Sequence, residues 1–170
     1  MYSVLIFLYR YSYIFTVARL NMYLLFKGRL ANFSHSLLDY LERRSALIRR
    51  FLPGVFLWGA SRRNSLLQEG AHVFLYVAKE VGFPGGVVLY GVLQKPEELL
   101  EKYWPEGEWP ILLPIKVERL APGVAESPLD PSRWRPVTLA QLQQIGVRVL
   151  PSPAQPLPEE KAKALLSLLR

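Results

Sequence analysis

Cysteine is absent from the 170-residue chain. That absence excludes a disulfide framework, a thiolate zinc site and a cysteine nucleophile together. Histidine is scarce, and His35 and His72 are too few to build a histidine-based metal cage. The sequence has no Gly-rich phosphate loop running into Lys-Ser/Thr, no dinucleotide fingerprint, no His-Glu-x-x-His and no nucleophile elbow. No cofactor is therefore expected. Charged residues make up only 21% of the chain against 51% apolar, a balance incompatible with disorder, collagen or a coiled coil. A chain of this length can bury a core without staples. Fourteen prolines make long uninterrupted helices improbable beyond the first third.

The positive charge is concentrated. The chain has a formal charge of +7, and residues 22–63 carry eight bases, seven of them arginine, against Asp39 and Glu42. Residues 64–170 carry eleven bases against twelve acids. Arginine presents a planar fork to phosphate and a face that stacks on bases, so polyanions are the expected partners. A solvated basic helix face is the alternative.

Residues 1–21 are almost wholly aromatic and aliphatic, with Arg10 at their middle. They lack the basic start and small-residue cleavage site of a signal peptide. Translation starting at Met22 is the preferred reading. An added strand or hairpin and a membrane anchor are the alternatives. The domain proper is then 22–170, in a cytoplasmic setting.

From Met22 the periodicities alternate. Tyr23–Phe26, Val55–Trp58, His72–Ala78 and Val87–Leu93 read as strands. Residues 33–52 read as one or two amphipathic helices with Ser34 as N-cap. Pro96 to Tyr103 reads as a short helix opened by proline, with Glu97 and Glu98 in its first turn. Trp109 to Leu120 alternates as a long strand, which Pro110 and Pro114 should confine to an edge or force into a bulge. Thr138 is expected to cap a helix, Val147–Leu150 to form the last strand, and residues 157–169 to form a helix behind a Pro-rich linker at 151–158. The sum is an α+β domain of five to six mostly antiparallel strands with flanking helices.

Catalytic sets are wanting. The carboxylates of Glu97, Glu98, Glu101, Glu106 and Glu108 cluster where solvation is the default. What remains is a binding constellation: Trp58-Gly59 ends a strand, and Arg62-Arg63-Asn64 follow. An indole at a pocket rim can stack on a base, an amide can read its edge, and arginines can hold the flanking phosphates. A base flipped out of its strand needs those groups. A core role for each tryptophan is the competing reading.

The run from Phe56 through Trp58-Gly59, Arg62-Arg63-Asn64 and Glu69-Gly70 to Tyr76 resembles the signature of EVE domains, members of the PUA-like superfamily. Gly85-Gly86 to Gly91, Lys95-Pro96, Trp109-Pro110 to Val117, Pro136-Val-Thr-Leu139 and Leu157-Pro-Glu-Glu160 are similar to further family segments, in the same order. Ala71 stands where the family carries Asp, and its Arg-Leu-Ser-x-Gln stretch is blurred into residues 148–155.

The resemblance implies a PUA-like, partly open β-barrel with a concave site. It implies a non-enzymatic nucleic-acid-binding module that reads a methylated base, in RNA or DNA, in an aromatic pocket. Trp58 would form one wall, with Tyr76 or Trp109 as partner. Ser61 and Asn64 would touch the base, and Arg49, Arg50, Arg62 and Arg63 the backbone. Two alternatives stand beside it. One is an ASCH-like enzyme acting on RNA or modified nucleosides, drawing on Lys79, Glu80 and Thr138. The other is a membrane-tethered or protein-interaction module using residues 1–21.

Overall fold

Tyr23–Gly28 forms the first strand, β1, whose consecutive Leu24, Leu25 and Phe26 are all buried, the mark of a strand covered on both faces. The computed structural model describes residues 22–169, so the expectations for 1–21 lie outside the described residues. Helix α1 (Leu30–Glu42) follows, then β2 (Val55–Ala60), β3 (His72–Val77), β4 (Gly86–Leu93), the two-residue β5 (Glu97–Glu98) and β6 (Ile111–Leu120). Helix α2 (Leu139–Gln144), β7 (Ala154–Leu157) and helix α3 (Glu159–Leu168) complete the domain.

One seven-stranded sheet runs β2-β6-β4-β3-β1-β7, with β5 added to the end of β6. All pairings are antiparallel except β1 with β3, which the long excursion through α1 and β2 makes parallel. Bulges at Leu75/Tyr76 and Tyr90/Gly91 add twist, and the sheet curls until its two ends approach each other. The result is a partly open barrel with helices beside it. Both free edges are partly blocked. On β2 the Ser36 hydroxyl of α1 donates to the Leu57 carbonyl at 2.6 Å. On β7 the outward-facing Pro156 has no N–H to offer another strand, and prolines at 151, 153 and 158 flank it.

Several sequence expectations are corrected. Helix α1 begins at Leu30, four residues before Ser34. Arg29 holds the cap position without a side-chain bond, and the buried face starts at Asn32 and Phe33. Burying Phe33 and Leu37 contributes roughly 1.5–3 kcal/mol each, more than a cap at Ser34 could. Arg43 in the left-handed conformation ends the helix, and of a second helix only a 3-10 turn at Ile48–Arg50 exists. The segment expected as a helix at Pro96–Tyr103 is instead β5 and coil, because Leu99 buries itself and donates its N–H to Pro110. The expected strand at Val147–Leu150 is coil. Gln155 takes the place of a strand partner, accepting from the Leu150 N–H and donating to the Arg148 carbonyl. The last strand lies inside the expected linker, as β7.

Pro114 sits in the middle of the sheet, contrary to the expected edge. Gly54 accepts from the Val117 N–H, so alternate residues of β6 face β2, and Pro114, opposite Leu57, faces away from it. Its missing N–H therefore points at the gap between the end of β4 and β5, where its carbonyl accepts from Gln94. Other expectations hold. Thr138 caps α2 in a capping box with Gln141, and Glu159-Glu160 open α3 behind Pro158.

The arginines after α1 are spent locally. The Arg43 guanidinium donates to the Phe51 carbonyl, Arg49 Nε donates to the Arg43 carbonyl, and Arg50 pairs with Glu97 at 3.1 Å. Asp39 organises this corner by accepting from the Arg44 and Ser45 amides, the Ser45 hydroxyl and the Tyr103 hydroxyl. Burial pushes its pKa up, but these bonds outweigh burial and hold the carboxyl below its ordinary value. The folded-state pKa is depressed, so the stabilisation is present above the ordinary carboxylate pKa of about 3.9 and disappears as pH falls through the lower folded value. Asp39→Asn should therefore unfold at lower urea than wild type at pH 7, with the gap narrowing below about pH 4. A gap independent of pH would show that the charge of Asp39 plays no part.

Candidate functional site

The curl of the sheet leaves a cavity of about 480 Å³ where the β2 end of the sheet meets the β1–β7 end. That is within the range of roughly 300–1,000 Å³ typical of small-molecule sites. Its lining comes from the last residues of β1 and β2, the segment after β2, the 104–109 loop and the 151–154 segment. The two sides of the seam touch inside it. A Cβ placed on Gly28 of β1 would lie 2.1 Å from Trp58 Cζ2 of β2.

Three indoles form the walls. Trp58 is only 6% exposed and stands roughly parallel to Phe56, with Trp104 edge-on to it at 6.5 Å between centroids. Trp104 is fixed through its Nε1, which donates at 2.7 Å to the Ser36 hydroxyl, itself bound to Leu57. A β-carbon on Gly59 would sit 2.7 Å from Trp109 Cβ and 2.8 Å from the Trp104 ring, so only glycine lets both rings close on the strand. Trp109 is half-buried and donates from its indole to the Glu106 carbonyl at 2.7 Å. Asn32 of α1 clasps the same loop, donating to the Glu106 carbonyl and accepting from its N–H, each at 3.0 Å. Two of the three walls, Trp104 and Trp109, are thus held by indole hydrogen bonds.

Polar groups sit at the mouth. Gly59 belongs to the half of β2 that faces away from β6, like Leu57, so its N–H and C=O point to the open edge. Neither has a hydrogen-bond partner among the described residues. Asn64 uses Oδ1 to accept from the Leu66 N–H at 2.9 Å, which leaves its amide nitrogen as a donor. Ser61 and Arg62 are exposed beside it, and Lys27 and Arg29 also line the cavity. No carboxylate residue is among the lining residues. Arg29 is held from outside by Glu106 at 3.2 Å and Glu80 at 3.7 Å.

Of the residues singled out from sequence, Trp58, Ser61, Arg62, Asn64 and Trp109 come together here. Tyr76 does not. The register places Leu75 beside Phe26 and Val77 beside Gly28, so Tyr76 falls on the other face of the sheet, and burial there raises its pKa. Arg49 and Arg50 are not brought to the cavity, being tied to Arg43 and Glu97, and Arg63 faces a separate groove. Lys79, Glu80 and Thr138 do not line the cavity either, Glu80 being paired with Arg29 and Thr138 committed to the α2 cap. The sequence does not single out Gly28 or Asn32, and it marks residues 151–154 only as part of the Pro-rich linker and of the blurred family stretch at 148–155. All of them meet the site through closure of the barrel. Trp104 was visible as a tryptophan, but nothing in its neighbourhood distinguished a wall from core.

Among the described residues no cluster of three or more His, Asp or Glu could hold a metal ion. No helix among them is long and apolar enough to cross a membrane.

No family model matches the sequence, and no curated protein matches it. Solved structures do. A Pseudomonas syringae protein superposes with a TM-score of 0.52 at 18% identity, over 87% of this chain and 99% of that one. A hypothetical protein from Leishmania major gives 0.52 at 14%, over 86% and 93%. Human THYN1, solved in complex with 5-methylcytosine-containing DNA, gives 0.51 at 15%, over 88% and 98%. At these identities the likeness is one of fold. It is the PUA-like, partly open α+β barrel that the EVE resemblance implies.

Proposed function

We propose that this chain is a non-enzymatic nucleic-acid-binding module that receives a single modified base, swung out of its strand, in the tryptophan-walled cavity. The observation that carries the reading is the cavity itself. Its walls are indoles, its mouth is cationic, and the unpaired Gly59 amide and carbonyl lie at its edge. Trp58 and Trp104 form the inner walls and Trp109 the outer one, against which a base stacks. Gly59, Ser61 and the Asn64 amide meet the polar edge of the base, and Arg62 meets the phosphate at the mouth. The structural likeness to a protein solved with 5-methylcytosine DNA supports this reading. A methyl group belongs in an apolar aromatic site, where burying one is worth about 0.8 kcal/mol, roughly a fourfold preference over the plain base. No nucleophile with an oriented base lines the cavity, which favours binding over turnover.

The test is a titration, by fluorescence anisotropy, of short DNA and RNA oligonucleotides that differ only in methylation of one base. Tighter binding of a methylated member, with the ligand recovered intact, is expected. Equal affinities remove the reader, and chemical change of the ligand replaces it by an enzyme.

A further inference from the structure

A second hollow, of about 410 Å³, adjoins the cavity on the opposite flank of residues 61–67. Asn64 and Leu67 line both, so this segment is a ridge with a hollow on either side. Its two successive arginines divide between them: Arg62 lines the cavity and Arg63 the second groove. Lys95 lines the same groove as Arg63, and Pro96 and Ile111 contribute to its apolar lining.

Among the described residues, the charges at this ridge belong to the basic groups of the fold that no carboxylate holds, as do Lys27, Lys79, Lys102, Lys116 and Arg148, and what sets them apart is their grouping on two adjoining hollows. Arg29, Arg44, Arg50, Arg133 and Lys163 each pair with a carboxylate. Among the described residues no carboxylate pairs with Arg62, Arg63 or Lys95, although Glu69 is on the groove wall. All three are exposed. Uncommitted cations on both sides of one ridge suit a polyanion that crosses it, whereas a free nucleotide could occupy only one side.

We infer that the second groove seats the nucleotide adjoining the one in the cavity. Arg63 and Lys95 contact its backbone phosphate, and Pro96 and Ile111 lie against its sugar. The inference rests on the proposed function and adds a requirement to it: full affinity needs a strand that runs over the Asn64 ridge.

The experiment compares wild type with the double variant R63Q/K95Q. The probes are a mononucleotide and a tetranucleotide that carry the same preferred base, each titrated across a range of salt. For wild type, the tetranucleotide should bind more tightly and with a steeper dependence on salt. Loss of two phosphate contacts should make the variant's slope of log K against log salt shallower by about 1.4 for a single strand. Its mononucleotide affinity should stay close to wild type. Unchanged slope and tetranucleotide affinity in R63Q/K95Q would overturn the groove while leaving the cavity reading intact. Failure of wild type to bind either probe overturns both. Thermal melting of the variant, expected to match wild type because both side chains are exposed, shows that the comparison is between folded proteins.

Discussion

Trp109→Ala should weaken binding of the preferred oligonucleotide by about tenfold to a hundredfold, since stacking one base on an aromatic side chain is worth roughly 1–3 kcal/mol. The indole is half-buried, and its one hydrogen bond is to a backbone carbonyl that Asn32 also satisfies. Removing it therefore leaves no buried group unpaired. Trp58→Ala behaves differently. That ring is wedged between Phe56, Trp104 and Gly28, and its loss opens a hole in the core that should cost about 3–5 kcal/mol of stability. Binding is lost as well, but only after the fold is compromised. The two variants together separate wall from core: affinity falls in both, and the urea midpoint falls steeply only for Trp58→Ala. Full affinity in Trp109→Ala would show that no base stacks on that indole.

Gly28→Ala has the second large expected effect, from a single added methyl. The new β-carbon would lie 2.1 Å from Trp58 Cζ2 and 2.7 Å from Cη2, closer than atoms can approach. Gly28 has no positive φ, so the penalty is steric and does not come from the backbone conformation. Trp58 has little room to retreat, with Phe56 behind it and Trp104 at its edge. Overpacking of this kind typically costs about 1–3 kcal/mol. For a domain of this size, that is a drop in Tm of several degrees, at about 2–4 °C per kcal/mol. The substitution pushes the two ends of the sheet apart, so ligand affinity should fall with the melting temperature. An unchanged Tm in calorimetry would mean that the seam does not close on this contact.

Legibility in the sequence follows the range of the interactions. Strands β1 to β4 are visible because their apolar runs are bounded by glycine and proline turns, and the α2 cap is visible because Thr138 and Gln141 are three residues apart. These signals are local. The segment at Pro96–Tyr103 carries equally good local signals for a helix and is not one. Pairing with β6 and burial of Leu99 outweigh a favourable first turn. Val147–Leu150 fails for the complementary reason: Gln155 satisfies its backbone, and the paired strand forms instead among prolines, where one free edge suffices. The arginines show the same limit. Sequence can count positive charge, but only the fold shows that Arg43, Arg49 and Arg50 are consumed at the end of α1 while Arg62, Arg63 and Lys95 stay free.

By itself, the order of residues determined that the chain must bury a mixed core of helices and strands, that it has no thiol to use, and that an indole, an amide and two arginines follow one another around β2. Tertiary structure decided everything that depends on the sheet's two ends meeting. Curling brings β1 to β2, sets Gly28 against Trp58, carries Trp104, Trp109 and residues 151–154 to the same place, and turns Tyr76 away. The physical reason is that alternation along a strand fixes only which residues share a face. Which distant faces come together depends on twist, bulges and packing summed over the whole sheet.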